Sequence, residues 1–121
     1  MIRELKQKDI DACLGLVQNG VAYDNLKTRI LAFLQSENGY SFGDFNEEKL
    51  LGFVLFTGCS FDITISLFVV YQADEAVINN LVGKVREVAN TFGAKAIYVN
   101  NHNLDKELLN SLEILEQYRL E

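Results

Sequence analysis

VVYQADEAVINNLV, Val69 to Val82, is the stretch on which the fold turns. Val69 and Val70 close an apolar run that reads as a strand, and Val77, Ile78 and Leu81 then recur at helical spacing. A strand running straight into a helix presents the free backbone N–H groups of the helix start to a phosphate. This turn, however, carries Asp74 and Glu75 and has no glycine. Whether it holds a phosphate is the functional question the sequence raises.

Downstream, Val85, Val88 and Phe92 extend the same apolar face, so the helix is expected from about Asp74 to Phe92, with Gly93 as its C-cap. AIYV, Ala96 to Val99, reads as a short buried strand. A long helix separates it from the preceding strand, so the two are expected to lie parallel. A last helix is expected from Asn103, with Leu104, Leu108, Leu109 and Leu112 on its inner face. Residues 113–121 read equally as continued helix or as a final edge strand.

Upstream, Tyr40–Phe45, Leu50–Thr57 and Phe61–Tyr71 are three apolar segments rich in Phe, Val, Ile and Leu, as strands are. Asn46-Glu47-Glu48-Lys49 and Gly58-Cys59-Ser60 are the turns expected between them, short enough to make antiparallel neighbours. Before these come a short strand at Ile2–Leu5 and a helix N-capped by Asp9, with Ile10, Cys13, Leu14 and Val17 in phase and Gly20 closing it. A second helix runs from about Asp24 to Glu37, with Leu26, Ile30, Phe33 and Leu34 on one face. The order is β-α-α-β-β-β-α-β-α-(β). It predicts one α/β (α+β) domain over residues 1–121, with a mixed sheet.

Composition narrows the function classes. The formal charge is −6, with no run of basic residues, which argues against a nucleic-acid backbone as partner. No apolar run approaches the ~20 residues a membrane-spanning helix needs. Cys13 and Cys59 stand far apart in apolar segments, in no metal-ligand spacing. They read as two reduced, buried thiols of a soluble cytoplasmic protein.

The element order resembles that of the GNAT N-acetyltransferase superfamily, over essentially the whole chain. LLGFVLF (Leu50–Phe56), with Gly52, looks like the family's third strand, and SLFVV (Ser66–Val70) like its fourth. Ala89 and Gly93 match small residues near the end of the family's third helix, and Asn103 the asparagine that opens its last one. The resemblance implies a parallel fourth and fifth strand that splay apart, with acetyl-CoA in the gap. It implies that Val69 and Val70 meet the cofactor arm, and that Gln72, Ala76 and Asn103 lie near the cofactor. In the family an Arg/Gln-x-x-Gly-x-Gly/Ala loop supplies the N–H groups that hold the pyrophosphate. Here Ala73 to Asn79 fill that loop without its glycines, and Gln72 alone echoes its opening residue, one position too far from Ala76. Asp74 and Glu75 suit a helix N-terminus and repel a pyrophosphate. The family's helix tyrosine, general acid for the leaving thiolate, falls on Asn110, and its following Gly-Phe on Ile114-Leu115.

The catalytic candidates are Asp62, as a base for an amine, and Tyr118, which lies beyond the family's tyrosine position. Asn100, Asn101, His102 and Asn103 form a polar cluster that reads as a loop with Asn103 as N-cap, or as a cleft lining. Tyr98, on the buried strand, reads as core or cleft wall. No metal site is expected. Two functions follow from the resemblance. One is an acetyl-CoA-dependent transferase acting on an amine. The other is a GNAT-like binding or regulatory module that has lost acyl transfer. A homodimer through a strand edge or the C-terminal tail, or another protein partner, is compatible with either.

Overall fold

The computed structural model describes residues 1–17, 23–59 and 61–99. Strand β1 (Ile2–Glu4) leads through a 3-10 turn (Gln7–Asp9) into helix α1 (Ile10–Leu16), and helix α2 spans Tyr23–Gln35. Strands β2 (Gly39–Asn46), β3 (Lys49–Cys59) and β4 (Asp62–Val70) follow. A second 3-10 turn (Tyr71–Ala73), helix α3 (Glu75–Phe92) and strand β5 (Ala96–Val99) complete the described chain. The strands form one sheet in sequence order, antiparallel except for the parallel pair β4–β5. The mixed α+β architecture read from the sequence is therefore present through β5. The expected last helix and the tail lie outside the described residues.

Helix α3 is specified at both ends. Asp74 stands at its N-cap and Gly93 at its C-cap, where φ is 73°, a left-handed backbone that glycine adopts without strain. Between them Val77, Ile78, Leu81, Val82, Val85 and Ala89 are buried on the sheet. Each of the larger aliphatic side chains contributes roughly 1.5–3 kcal/mol of transfer free energy. Phe92, expected on this face, lies at its exposed flank.

Three local expectations are corrected. Asp9 occupies the N-cap position of α1 but its side chain does not cap that helix. Its carboxylate instead takes both guanidinium nitrogens of Arg3, at 2.9 and 3.0 Å, and the backbone N–H of Lys6 at 2.8 Å. That arrangement closes the preceding 3-10 turn and ties β1 to α1. The turn after β3 falls later than Gly58, because β3 continues through Cys59 and Phe61 adopts φ 75°. Of the two readings of Tyr98, core or cleft wall, the first is removed: the residue is 45% exposed.

The sheet carries a separate core on each face. On one, Phe42, Val54, Phe56, Ile63, Ile65, Phe68 and Val70 meet α3. On the other, Phe45, Leu50, Phe53, Leu55 and Leu67 meet Leu5, Ile10 and Cys13 near α1 and Leu26 and Ile30 of α2. Strand β4 changes phase between these sets. Ile63 and Ile65 face α3 at odd positions, whereas Phe68 and Val70 face it at even ones. Side chains alternate strictly along a regular strand, so one residue must be extra. The register with β3 locates it: Leu55 pairs with Leu67 and Phe56 with Ile65, leaving Ser66 as the bulged residue.

Candidate functional site

The bulge lies midway along β4, the strand that pairs in parallel with β5. Their parallel pairing runs from Asp62–Ala96 to Ile65–Val99, and β4 continues to Val70. A bulge bends its strand and increases the local twist. Val69 and Val70, expected to meet the cofactor arm, lie beyond it and point to opposite faces. Val70 is buried toward α3, and Val69 packs against the α1/α2 core.

Beyond Val70 the chain turns sharply into α3. Gln72 has φ 52° and ψ 27°, an uncommon left-handed conformation for a residue with a side chain, and is exposed. Gly52 of β3 then allows the first turn of α3 onto the sheet. A Cβ at Gly52 would stand 2.9 Å from Val77 Cγ1 and 3.0 Å from the Val69 carbonyl oxygen. The expected family glycine thus has a local reason, close packing between β3 and the start of α3.

The N–H groups at that helix start already have a partner. Ala76 N–H donates to Asp74 Oδ1 at 2.9 Å and Val77 N–H donates to the same oxygen at 3.3 Å. The Asp74 carboxylate therefore occupies the anion position of the turn, and the exposed Glu75 adds a second negative charge beside it. Lys49, at the start of β3, places its Nζ 5.7 Å from the centre of the Tyr71 ring. It is a positive charge beside the 3-10 turn that the sequence alone did not single out.

Of the other candidates, Asp62 lies at the opposite end of β4, half-buried, three residues from the last pair with β5. That is roughly 10 Å along the strand. Asn103 and Tyr118 lie outside the described residues, as do Asn100, Asn101, His102 and Asn110. The described Tyr98 is the cross-strand neighbour of Thr64, and both are exposed. Ile63, Ile65 and Ile97 point toward α3, so Asp62, Thr64 and Tyr98 point to the other face of the sheet. Ser66 has no signature of its own in the sequence. The phase slip of β4 in its apolar alternation is the signal that could have found it.

Away from this region, Asp44 is a buried acid, 3% exposed. It accepts from Asn80 Nδ2 of α3 and from the Met1 ammonium, each at 3.0 Å, and so fixes α3 to β2. Cys13 is a free, buried thiol whose pKa burial pushes up to about 12, which leaves it inert as a nucleophile. Among the described residues no group of His, Cys, Asp or Glu could hold a metal ion. Among them, too, no helix is long and apolar enough to cross a membrane.

Neither a protein-family model nor a curated sequence matches this chain. Solved structures do resemble it. The PaiA N-acetyltransferase from Thermoplasma acidophilum in complex with coenzyme A superposes with TM-score 0.73 at 9% identity, covering 98% of this chain and 87% of that one. The aminoglycoside 6'-N-acetyltransferase AAC(6')-IG from Acinetobacter haemolyticus gives 0.76 at 9% identity, over 94% and 87% of the two chains. A GNAT family acetyltransferase from Staphylococcus aureus gives 0.68 at 17% identity, over 83% and 84%. The chain has the GNAT fold.

Proposed function

We propose that this GNAT-fold protein binds an acyl-CoA along the C-terminal half of β4 and transfers the acyl group to an amine. The observation that carries the reading is the bulge at Ser66, which re-phases the half of β4 that leads through the Tyr71–Ala73 turn into α3. An extended pantetheine arm would pair with the backbone of Leu67–Val70 as an added strand does. Its pyrophosphate would reach the turn at Gln72 and Ala76, with Lys49 beside it. The likeness to a coenzyme A complex supports the same placement. The chemistry asked of the protein is mainly orientation of an amine against a thioester, which needs few side chains.

A second reading, a ligand-binding module without transfer, is favoured by one observation, the Asp74 carboxylate on the N–H groups of α3. Thermal unfolding with acetyl-CoA and with CoA tests cofactor binding. A ligand present at a hundred times its Kd stabilises the folded state by about 2.7 kcal/mol, about 10 °C for a domain of this size. No shift at millimolar CoA removes the acyl-CoA reading. A shift without thiol release, in the presence of a panel of primary amines, leaves the binding module.

A further inference from the structure

We infer that the groove between Tyr40 and the C-terminal half of α3 is a second binding site, and that it takes the ammonium end of a small alkylamine. The groove exists because β1 is short. Its pairing with β2 reaches back only as far as Leu5 and Ser41, so no described strand covers the Tyr40 end of β2. There Tyr40 on one side and Glu87, Val88, Thr91 and Phe92 on the other line an open groove of about 220 Å³. Phe92, at the flank of α3, rests on Gly58 of β3, whose Cβ position lies 3.4 Å from the ring. Pockets for drug-sized ligands hold roughly 300–1,000 Å³, so this groove suits a short chain with a single polar end. The site stands apart from the acyl-CoA reading and does not rest on it. Strand β3 separates Tyr40 from β4, and Thr91 lies roughly 25 Å along α3 from Asp74.

The lining offers acceptors and aromatic rings and contains no Lys or Arg. The Tyr40 ring ends a stacked row, 5.2 Å from Phe56, which in turn stands 6.0 Å from Phe42. At the other end of that row the protein places an ammonium of its own. Lys84 Nζ stands 5.0 Å from the centre of the Phe42 ring and 3.4 Å from Glu87 Oε1. Lys84 thus shows the combination that an ammonium finds here, an aromatic ring and the Glu87 carboxylate. The second oxygen, Glu87 Oε2, has no partner among the described residues. A cation in the groove meets that oxygen together with the Tyr40 and Phe92 rings. The helix favours the same charge, because its dipole is negative at this end and its last turn carries no basic residue. Thr91 gives its hydroxyl hydrogen to the Glu87 carbonyl, at 3.0 Å, which leaves its own oxygen as an acceptor. Lys95, just past the C-cap, turns to the Phe61 ring, 5.7 Å away. These features repel an anion, and a neutral alcohol would gain only the apolar wall.

The test titrates n-butylammonium chloride into the isotope-labelled protein and follows the backbone amides by NMR, with n-butanol and sodium chloride as controls. Saturable shifts are expected at Tyr40, Gly58 and Glu87 to Phe92, with a millimolar Kd. Glu87→Gln is expected to weaken n-butylammonium about 5-fold, the scale of an exposed charge pair, with an unchanged melting temperature. Phe92→Leu, which keeps the apolar bulk and removes the ring, is expected to cost about 5-fold as well. Lys84→Met frees Glu87 Oε1 and removes a like charge, so it is expected to tighten binding about 3-fold. Equal affinity for n-butanol, or wild-type affinity in Glu87→Gln, overturns the inference and leaves an apolar groove only. Shifts that sodium chloride reproduces, or that saturate only at residues of β4, overturn it too.

Discussion

Replacing Asp74 by Asn isolates charge from capping at the start of α3. The amide oxygen of Asn can accept from the Ala76 and Val77 N–H groups as the carboxylate does. Asn and Asp are near-equal N-caps, so the melting temperature is expected to move by less than about 2 °C. The negative charge, by contrast, is gone. A phosphate oxygen sharing these donors would stand about 4 Å from the carboxylate, and a unit charge pair at that distance is worth about 1 kcal/mol in water's dielectric. Asp74 is exposed, so the aqueous figure applies. Two phosphate charges then give about 2 kcal/mol, or about 30-fold in Kd. Asp74→Asn should therefore bind CoA about 30-fold more tightly by titration calorimetry, and the gain should shrink in 1 M salt as screening shortens. Pantetheine, which carries no phosphate, should bind wild type and variant alike. Asp74→Ala should lose the cap as well, at a cost of about 1 kcal/mol and about 4 °C. Unchanged CoA affinity in Asp74→Asn, or an equal gain for pantetheine, would refute the placement of the pyrophosphate at this turn.

The remaining expectations concern the frame. The Arg3 guanidinium holds the Asp9 carboxyl below its ordinary 3.8. A folded pKa depressed in this way contributes stability that is full above that value and lost as pH falls through the folded one. Arg3→Met should thus cost about 1–2 kcal/mol in urea unfolding at pH 7, and the gap to wild type should narrow as pH falls below the ordinary carboxylate range. A gap that persists in acid would assign the Arg3 contribution to packing on the Phe45 ring, 3.8 Å from its guanidinium carbon. Gly52→Ala places a Cβ 3.0 Å from a backbone oxygen and 2.9 Å from Val77 Cγ1, and should cost about 1–3 kcal/mol. A Gly52→Ala protein as stable as wild type would show that the first turn of α3 gives way freely. Deleting Ser66 removes the extra residue of β4 and moves either Ile63 and Ile65 or Phe68 and Val70 off the α3 face. Loss of a cooperative thermal transition is expected, and a wild-type melt would refute the bulge assignment.

Much of the frame is written in short-range signals. The α3 stripe, Asp74 and Gly93 fix the helix, and four apolar residues between Lys95 and Asn100 fix β5, because local periodicity and caps are enough there. Asp9 stands at the N-cap position as expected but does not cap, because its carboxylate has two suitors. Its spacing to Ile10 suggests an N-cap, but Arg3, six residues earlier, is reached only once β1 and α1 are placed. Of the two readings of Tyr98, core or cleft wall, exposure removes the first; AIYV is uniformly apolar, and a uniform run does not say which face a helix will cover. Lys49 becomes relevant only through the β3–β4 hairpin, which brings it to Tyr71. Each of these depends on contacts between segments, which no local pattern records.

The turn that decides the fold is also where stability and ligand binding compete for the same atoms. An open anion site leaves the first N–H groups of its helix without a protein partner until the ligand arrives. Asp74 removes that vacancy, and a cap of this kind stabilises a helix by about 1 kcal/mol. The same carboxylate would set about 2 kcal/mol of repulsion against a pyrophosphate. The packing of α3 does not depend on leaving those groups open, since Gly52 and Val77 already seat its first turn on β3. A chain can therefore keep the GNAT fold while this turn changes sides, from holding a phosphate to holding itself. The bulge at Ser66 is different in kind, because it adds nothing to helix capping and re-phases the strand where an extended ligand would pair. Retention of the bulge beside a closed turn is the combination expected if the acyl arm, rather than the pyrophosphate, supplies most of the binding.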